Sequence, residues 1–290
     1  MKISSEHVIF EMNQTNEPAL SVDSGSRVTF ETLDCFSNTV NTPEDVVSEI
    51  DFSQVNPATG PLFINEAEVG DTLKVTIHSI KLADKGAILA AGGLGALASK
   101  IEKEETVICE VTDQFVDFKG IKIPLRKMIG VIGTAPAGVG VNTGTPHDHG
   151  GNMDTPPITE GATLYLPVNV KGALLAMGDL HATMGDGEIM GAGLEIPGEV
   201  DVTVEVIKNF NLPLPLIETE DLWVTVGSRE TMEDASTLAI ENMVDVIQEK
   251  SDLTYNQAGM LLSIAGDLKS SQIVNPNKTM RMELAKSLLE

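Results

Sequence analysis

Over roughly the first 230 residues, apolar and polar positions alternate in short runs of period two, the pattern of half-buried strands. HVIFEM (7–12) and RVTFETL (27–33) each put alternate side chains on one face, with Val28 and Phe30 together. Leu73, Val75 and Ile77 continue the alternation; it slips at Ser79 and resumes at Ile80 and Leu82, as a bulge would produce. Further strands are predicted in ETVICEVTDQFVDF, IKIPLRKMIGVIG, ATLYLPVNV, GALLAMG, GEIMGAGLEI and LWVTV. The clearest is EVDVTVEVIK, where Val200, Val202, Val204 and Val206 alternate with polar residues that face water.

From Thr231 the period becomes helical: Ala235, Leu238, Ala239, Met243 and Val246 fall on one face. Thr254-Tyr-Asn-Gln257 reads as a capping box opening a second helix, and Gly266 as its stop. The tail after residue 276 carries no decisive period. These elements predict an α+β protein: a strand-dominated body of β-sandwich or barrel type, mainly β, with a C-terminal α-helical layer. Three stretches follow in order: an N-terminal β-rich region (1–145), a second β region (146–230) and a C-terminal helical segment (231–290) packed on the body.

Two segments break the pattern. Ser37–Gly60 is polar and longer than a compact domain usually leaves irregular; it reads as a lid or partner contact, or as a plain surface excursion. GAILAAGGLGALA (86–98) is small and apolar, either a mobile flap or a close-packed turn. It contains neither GxGxxG nor a GKS/GKT ending, so nucleotide binding is not expected.

Composition narrows the function. A net charge of −24 argues against nucleic acid or an anionic membrane as partner, since both need a basic face. Aromatics make up only 4%, so the core must be aliphatic. The two cysteines, Cys35 and Cys109, form no spaced framework and fit a reducing compartment. The N-terminal residues lack a signal-peptide pattern and no apolar run is long enough to span a bilayer. The expectation is a cytoplasmic protein.

Chemistry concentrates between His147 and Glu195. Three of the five histidines (His147, His149, His181) lie there with Asp148, Asp154, Asp179, Asp186 and Glu188, in turns punctuated by glycine. Imidazoles and carboxylates crowded into loops between strands are what metal and acid–base sites require. His147 and His149 stand two apart, as do Asp179 and His181, and such pairs share a side when extended. Along the predicted strand after Gly187, the row Ile189, Gly191, Gly193, Glu195 either opens space for a ligand facing Glu195 or packs on another backbone. His7 and His78 read as ordinary surface or packed histidines. No GxSxG elbow provides a serine nucleophile, and Cys35 reads as a small buried thiol. Metal-activated water remains.

Several blocks resemble one family: GPLFINEAEVGDTL (60–73), HGGNMDT (149–155), TLYLPV (163–168) and GDLHATMGDGE (178–188) are similar, in the same order, to the acetamidase/formamidase family. The likeness runs from about Asp34 to LWVTV. It implies a mainly β fold, a homo-oligomer (dimer or higher), a small amide substrate cleaved to carboxylate and ammonia, and a divalent metal, expected to be zinc. Carried over residue by residue, HGGNMD falls on His149, Asn152 and Asp154, GDxHAxxGDGE on Asp179, His181, Asp186 and Glu188, and an early Asp-Cys on Asp34. On this scheme Asp34, His149, Asp154, Asp179 and His181 supply metal ligands, Glu188 or Asp186 moves protons, and Asn152 helps bind the amide. Acid-rich turns would also accept an additional calcium ion. Two rivals remain. HxH followed by Asp154, with Gly178-x-x-His181, is similar to a cupin-like metal oxygenase, though Asp replaces Glu and the matching Asn is absent. A non-catalytic calcium- or carbohydrate-binding β module is the other; one Trp and two Tyr speak against sugar.

Overall fold

The structure is a computed structural model that describes residues 1–289. Two large sheets face each other. The nine-stranded sheet runs Lys2–Ile3, Ser26–Thr32, Gly198–Ile207, Thr72–Leu82, Thr163–Pro167, Leu216–Glu218, Leu222–Arg229, Lys278–Ala285, Asp267–Gln272 in spatial order. The six-stranded sheet includes Gly150–Asn152, Met128–Gly133, Leu175–His181, Ala58–Ile64 and Val8–Ile9 in that order, with Leu20–Val22 also pairing to Ala58–Ile64. A four-stranded antiparallel sheet is built from Lys85–Ala90, Glu105–Val111, Phe115–Phe118 and Ile121–Pro124.

The period-two pattern explains the layering. Val200, Val202 and Val204 join Val28, Phe30, Leu73, Val75 and Ile77 in one core with Leu62, Ile129, Ile132, Leu175, Met177 and Leu180 of the facing sheet. The opposite face of the nine-stranded sheet is apolar only at one end. There Leu216 and Trp223 turn away from their neighbours Ile217 and Val224, because successive side chains leave a strand on opposite faces. They meet helix α1 (Met232–Lys250) through Ala239, Met243, Val246 and Ile247, and helix α2 (Tyr255–Ala265) through Ala258 and Leu262. The sandwich and its helical layer are therefore both present. The capping box at Thr254 and Gln257 forms as expected, and Gly266 caps the C-terminus. The register slip lies between Asp201 and Val202, opposite Ser79 and Ile77; it leaves His78 exposed, bonded to Thr203 Oγ1 at 2.7 Å.

Two expectations change and one open alternative is decided. The tail is not helical: after α2 the chain forms the hairpin Asp267–Gln272 and Lys278–Ala285, which completes the nine-stranded sheet. That sheet draws strands from all three stretches read in the sequence. GEIMGAGLEI is not a strand. It makes only isolated bridges at Gly187 and Glu195, because Gly187, Glu188 and Gly191 all take positive φ and break the extended repeat. Of the two readings of 86–98, the close-packed turn is found beyond the strand Lys85–Ala90: a Cβ on Gly95 would lie 2.5 Å from the Ile189 carbonyl oxygen.

Candidate functional site

His181 ends a strand buried in the middle of the six-stranded sheet and has no exposed surface. Three carboxylates surround its Nε2: Glu195 Oε1 at 3.1 Å, Asp179 Oδ1 at 3.5 Å and Asp154 Oδ1 at 3.9 Å. Glu188 completes the cluster, with one oxygen within 4.8 Å of ligand atoms on Asp154 and His181. Asp154, Asp179, Glu188 and Glu195 are all buried.

Their backbone is unusual. Asp154, Asp179 and Glu188 have φ of 41°, 56° and 48°, a region that side chains with a Cβ occupy at a cost. Strain of this kind persists where surrounding contacts enforce it, and functional sites are where it collects. Two glycines make room for the cluster. A Cβ on Gly130 would stand 2.5 Å from oxygens of both Asp154 and Asp179, and one on Gly193 2.6 Å from His181 Nδ1. Gly193 is thus small because the imidazole packs on it, and Glu195 faces the pocket as one reading of that row required.

Three carboxamides brace the acids. The Asn152 nitrogen is assigned toward the carboxylates, since these only accept hydrogen bonds. It donates to Asp154 Oδ2 and Asp179 Oδ2, each at 2.9 Å, and its oxygen accepts from Asn275 at 3.1 Å and Asn56 at 3.0 Å. Asn275 also donates to Asp154 Oδ2 at 2.8 Å. Asn152 therefore holds two acids in place and has no free amide hydrogen for a substrate. Several buried atoms nevertheless have no hydrogen-bond partner: His181 Nδ1, Glu188 Oε2 and Glu195 Oε2 in the cluster, and His149 Nε2 outside it. A buried polar atom without a partner costs roughly 1–3 kcal/mol, so this cluster calls for something between its oxygens.

Electrostatics agree. Burial pushes Asp154 up to about 7, with Asp179 pushing the same way and His181 opposing it. Burial likewise pushes Glu195 up to about 8, against His181. Glu188 rises well above the carboxylate range through burial and then through Asp154. For His181 burial favours the neutral ring, but Glu195 and Asp179 outweigh it and raise the pKa. Negative charge is crowded here beyond what one imidazole neutralises.

The other expected residues belong to neither candidate ligand group. His149 is nevertheless buried. Burial takes its pKa down to about 4, helped by His147 and opposed by Asp148. Gly150 and Gly151 have φ of 97° and 85°, so the chain is not extended there and His149 does not follow the direction of Asn152 and Asp154. Asp186 is tied to Arg281 at 2.7 Å, with Arg126 at 3.5 Å; it anchors the loop before Glu188 and leaves the cluster. Asp34 Oδ1 accepts from the backbone N–H groups of Phe36 at 2.9 Å and Asn38 at 2.7 Å. It shapes the turn that presents Cys35, whose sulfur lies within 4.8 Å of ligand atoms on Asp179 and Glu195. Asn56, Gly130 and Asn275 gave no signal in the sequence, because each reaches the site from a distant segment.

A cavity of about 130 Å³ adjoins the cluster. Asn152, Asp179, Glu188, Glu195 and Asn275 form its polar wall, and Val47, Ile50, Phe52 and Val55 of the long polar segment cover it from the other side with Phe36, Leu89 and Leu94. That segment is a cover over the site, with two short 3-10 turns at Val47–Glu49 and Phe52–Gln54.

Fold and site together define a β-sandwich protein with a helical layer and a buried centre of one imidazole and four carboxylates. The acetamidase/formamidase family profile matches residues 13–139 and 137–289, and the chain belongs to that family. It is similar to a crystal structure of an acetamidase from Bacillus halodurans, at 47% identity and a TM-score of 0.97, over 99% of this chain and 98% of that one. A predicted acetamidase/formamidase from Thermoanaerobacter tengcongensis is 44% identical, with a TM-score of 0.96 over 99% and 96% of the two chains. A formamidase of Methylophilus methylotrophus is 47% identical over 74 residues, 25% of this chain and 18% of that protein. The chain spans less than two thirds of the length of the curated relatives it matches. No helix among the described residues is long and apolar enough to cross a membrane.

Proposed function

We propose that this chain hydrolyses short aliphatic amides, R–CO–NH₂ plus water giving R–COO⁻ and ammonium, with a divalent ion at His181. The observation that carries the reading is the set of buried, unpartnered donor atoms around that ring. Membership of the family and the names of its relatives support the amide class. His181 and Asp154 would hold the ion, with Asp179 on the same side, and the donors suit zinc. When bound, the ion would polarise the amide carbonyl and lower the pKa of water.

Each remaining role falls to the chain. Glu188 lies within 4.8 Å of the Asp154 and His181 ligand atoms and keeps one oxygen free. It takes a proton from the attacking water and returns it to the departing nitrogen. Asn152, Asn56 and Asn275 fix Asp154 and Asp179. The apolar cover accepts the acyl group and excludes water, and a cavity of about 130 Å³ restricts that group to a short chain. Asp34 and Asp186 support this machinery from outside it. The oxygenase reading required His147, His149 and His181 together with Asp154, and of the three histidines His181 alone shares a ligand group with it. Purified protein should release ammonia from formamide or acetamide, lose that activity after prolonged chelation and recover it with zinc. Full activity in protein verified free of metal would contradict the proposal.

A further inference from the structure

Building on the reading above, we propose that the centre is binuclear: Cys35, Asp179 and Glu195 hold a second divalent ion, with Asp179 shared between the two positions.

One ligand atom from each of these three residues lies within 4.8 Å of the other two, and all three are buried. The group stands beside the first position because Asp179 Oδ1 is 3.5 Å from His181 Nε2. A carboxylate placed between two donor groups is how paired metals about 3.5–4 Å apart are bridged in hydrolytic sites. Glu195 is prepared for the role. Its Oε1 accepts the Gly193 N–H at 2.8 Å, which fixes the carboxylate, while the buried Oε2 has no partner.

Charge points the same way. Four carboxylates are buried around one imidazole, and among the described residues no lysine or arginine pairs with them. The nearby buried Arg281 is committed to Asp186 and Glu283. Buried charge must be paired or coordinated. One divalent ion neutralises two of the four acids and a second the other two, which leaves only the charge of the Cys35 thiolate.

Cys35 supplies the element an oxygen-only site lacks. The Asp34 turn fixes it next to the acids, and it lines the cavity. A thiolate with two carboxylates selects a thiophilic ion such as zinc and leaves a position open. On binding, the thiol proton passes to solvent and the sulfur lone pair to the metal.

The test uses the full chain, stripped with chelator and titrated with zinc or cobalt(II). The expected results are two zinc ions per chain and a thiolate-to-cobalt charge-transfer absorption. Cys35→Ser should hold one zinc and lose that absorption, with an unchanged circular dichroism spectrum. Glu195→Gln, a near-isosteric control, should weaken the second ion at least tenfold. One zinc per chain in the parent protein, with metal-dependent ammonia release intact, would overturn the binuclear centre alone. No bound zinc would overturn it together with the function proposed above. Two ions and the same absorption in Cys35→Ser would remove Cys35 from the site and so overturn the assignment.

Discussion

Glu188→Gln is expected to lower kcat for amide hydrolysis by about 10²–10⁴-fold, the usual contribution of a positioned acid–base group, with a much smaller change in KM. The substitution keeps the shape of a side chain that is 6% exposed and removes only its capacity to take up a proton. The zinc content should stay at the parent level if Glu188 moves protons, and fall if it is a ligand. Ammonia release and zinc content measured on the same preparation check both. A variant that retains parental kcat would remove Glu188 from the chemistry.

The second large effect is on stability. In metal-stripped protein the melting temperature should fall as pH rises from about 4.5 to about 8. Asp154 and Glu195 have folded-state values of about 7 and about 8, raised from 3.8 and 4.5. Between each pair of values the folded chain holds the extra proton, so their stabilisation is complete below the unfolded values and disappears as pH passes the folded ones. A tenfold change in proton affinity corresponds to about 1.4 kcal/mol, so the two acids together change stability by several kcal/mol. His149 works in the opposite sense and in a lower window: its folded value of about 4 costs stability as pH falls from about 6.5. Saturating zinc should reverse the alkaline loss, since the ion replaces the protons. A melting temperature that stays flat or rises with pH in the stripped protein would show that these acids are not crowded as described.

Much of this was legible in the sequence, for identifiable reasons. Strict alternation at Val200, Val202 and Val204 marked a strand with one buried face, the slip at Ser79 marked a bulge, and Thr254 with Gln257 marked a helix start. All are local signals. The acids and imidazole that meet at the site, Asp154, Asp179, His181 and Glu188, were also visible as a cluster, because the i, i+2 pair Asp179 and His181 lies on a real strand. His149, a ligand on the family resemblance, stands outside both ligand groups, and two glycines with positive φ turn the chain between it and Asp154. Asp186 looked equivalent to Glu188, yet its partner Arg281 stands 95 positions away, and sequence spacing carries no trace of that pairing. The same holds for Asn275, delivered by the final hairpin, and for Cys35, brought in by the Asp34 turn. Glu195 was readable only as one of two outcomes, and the deciding contact, His181 on Gly193, is tertiary.

The most direct measurement is an anomalous difference map from a zinc-loaded crystal collected at the zinc edge. A peak is expected within coordination distance of His181 Nε2 and an Asp154 oxygen, beside Glu188. Zinc bound only at other places on the molecule, with His181 still surrounded by carboxylates alone, would contradict a metal centre at this ring.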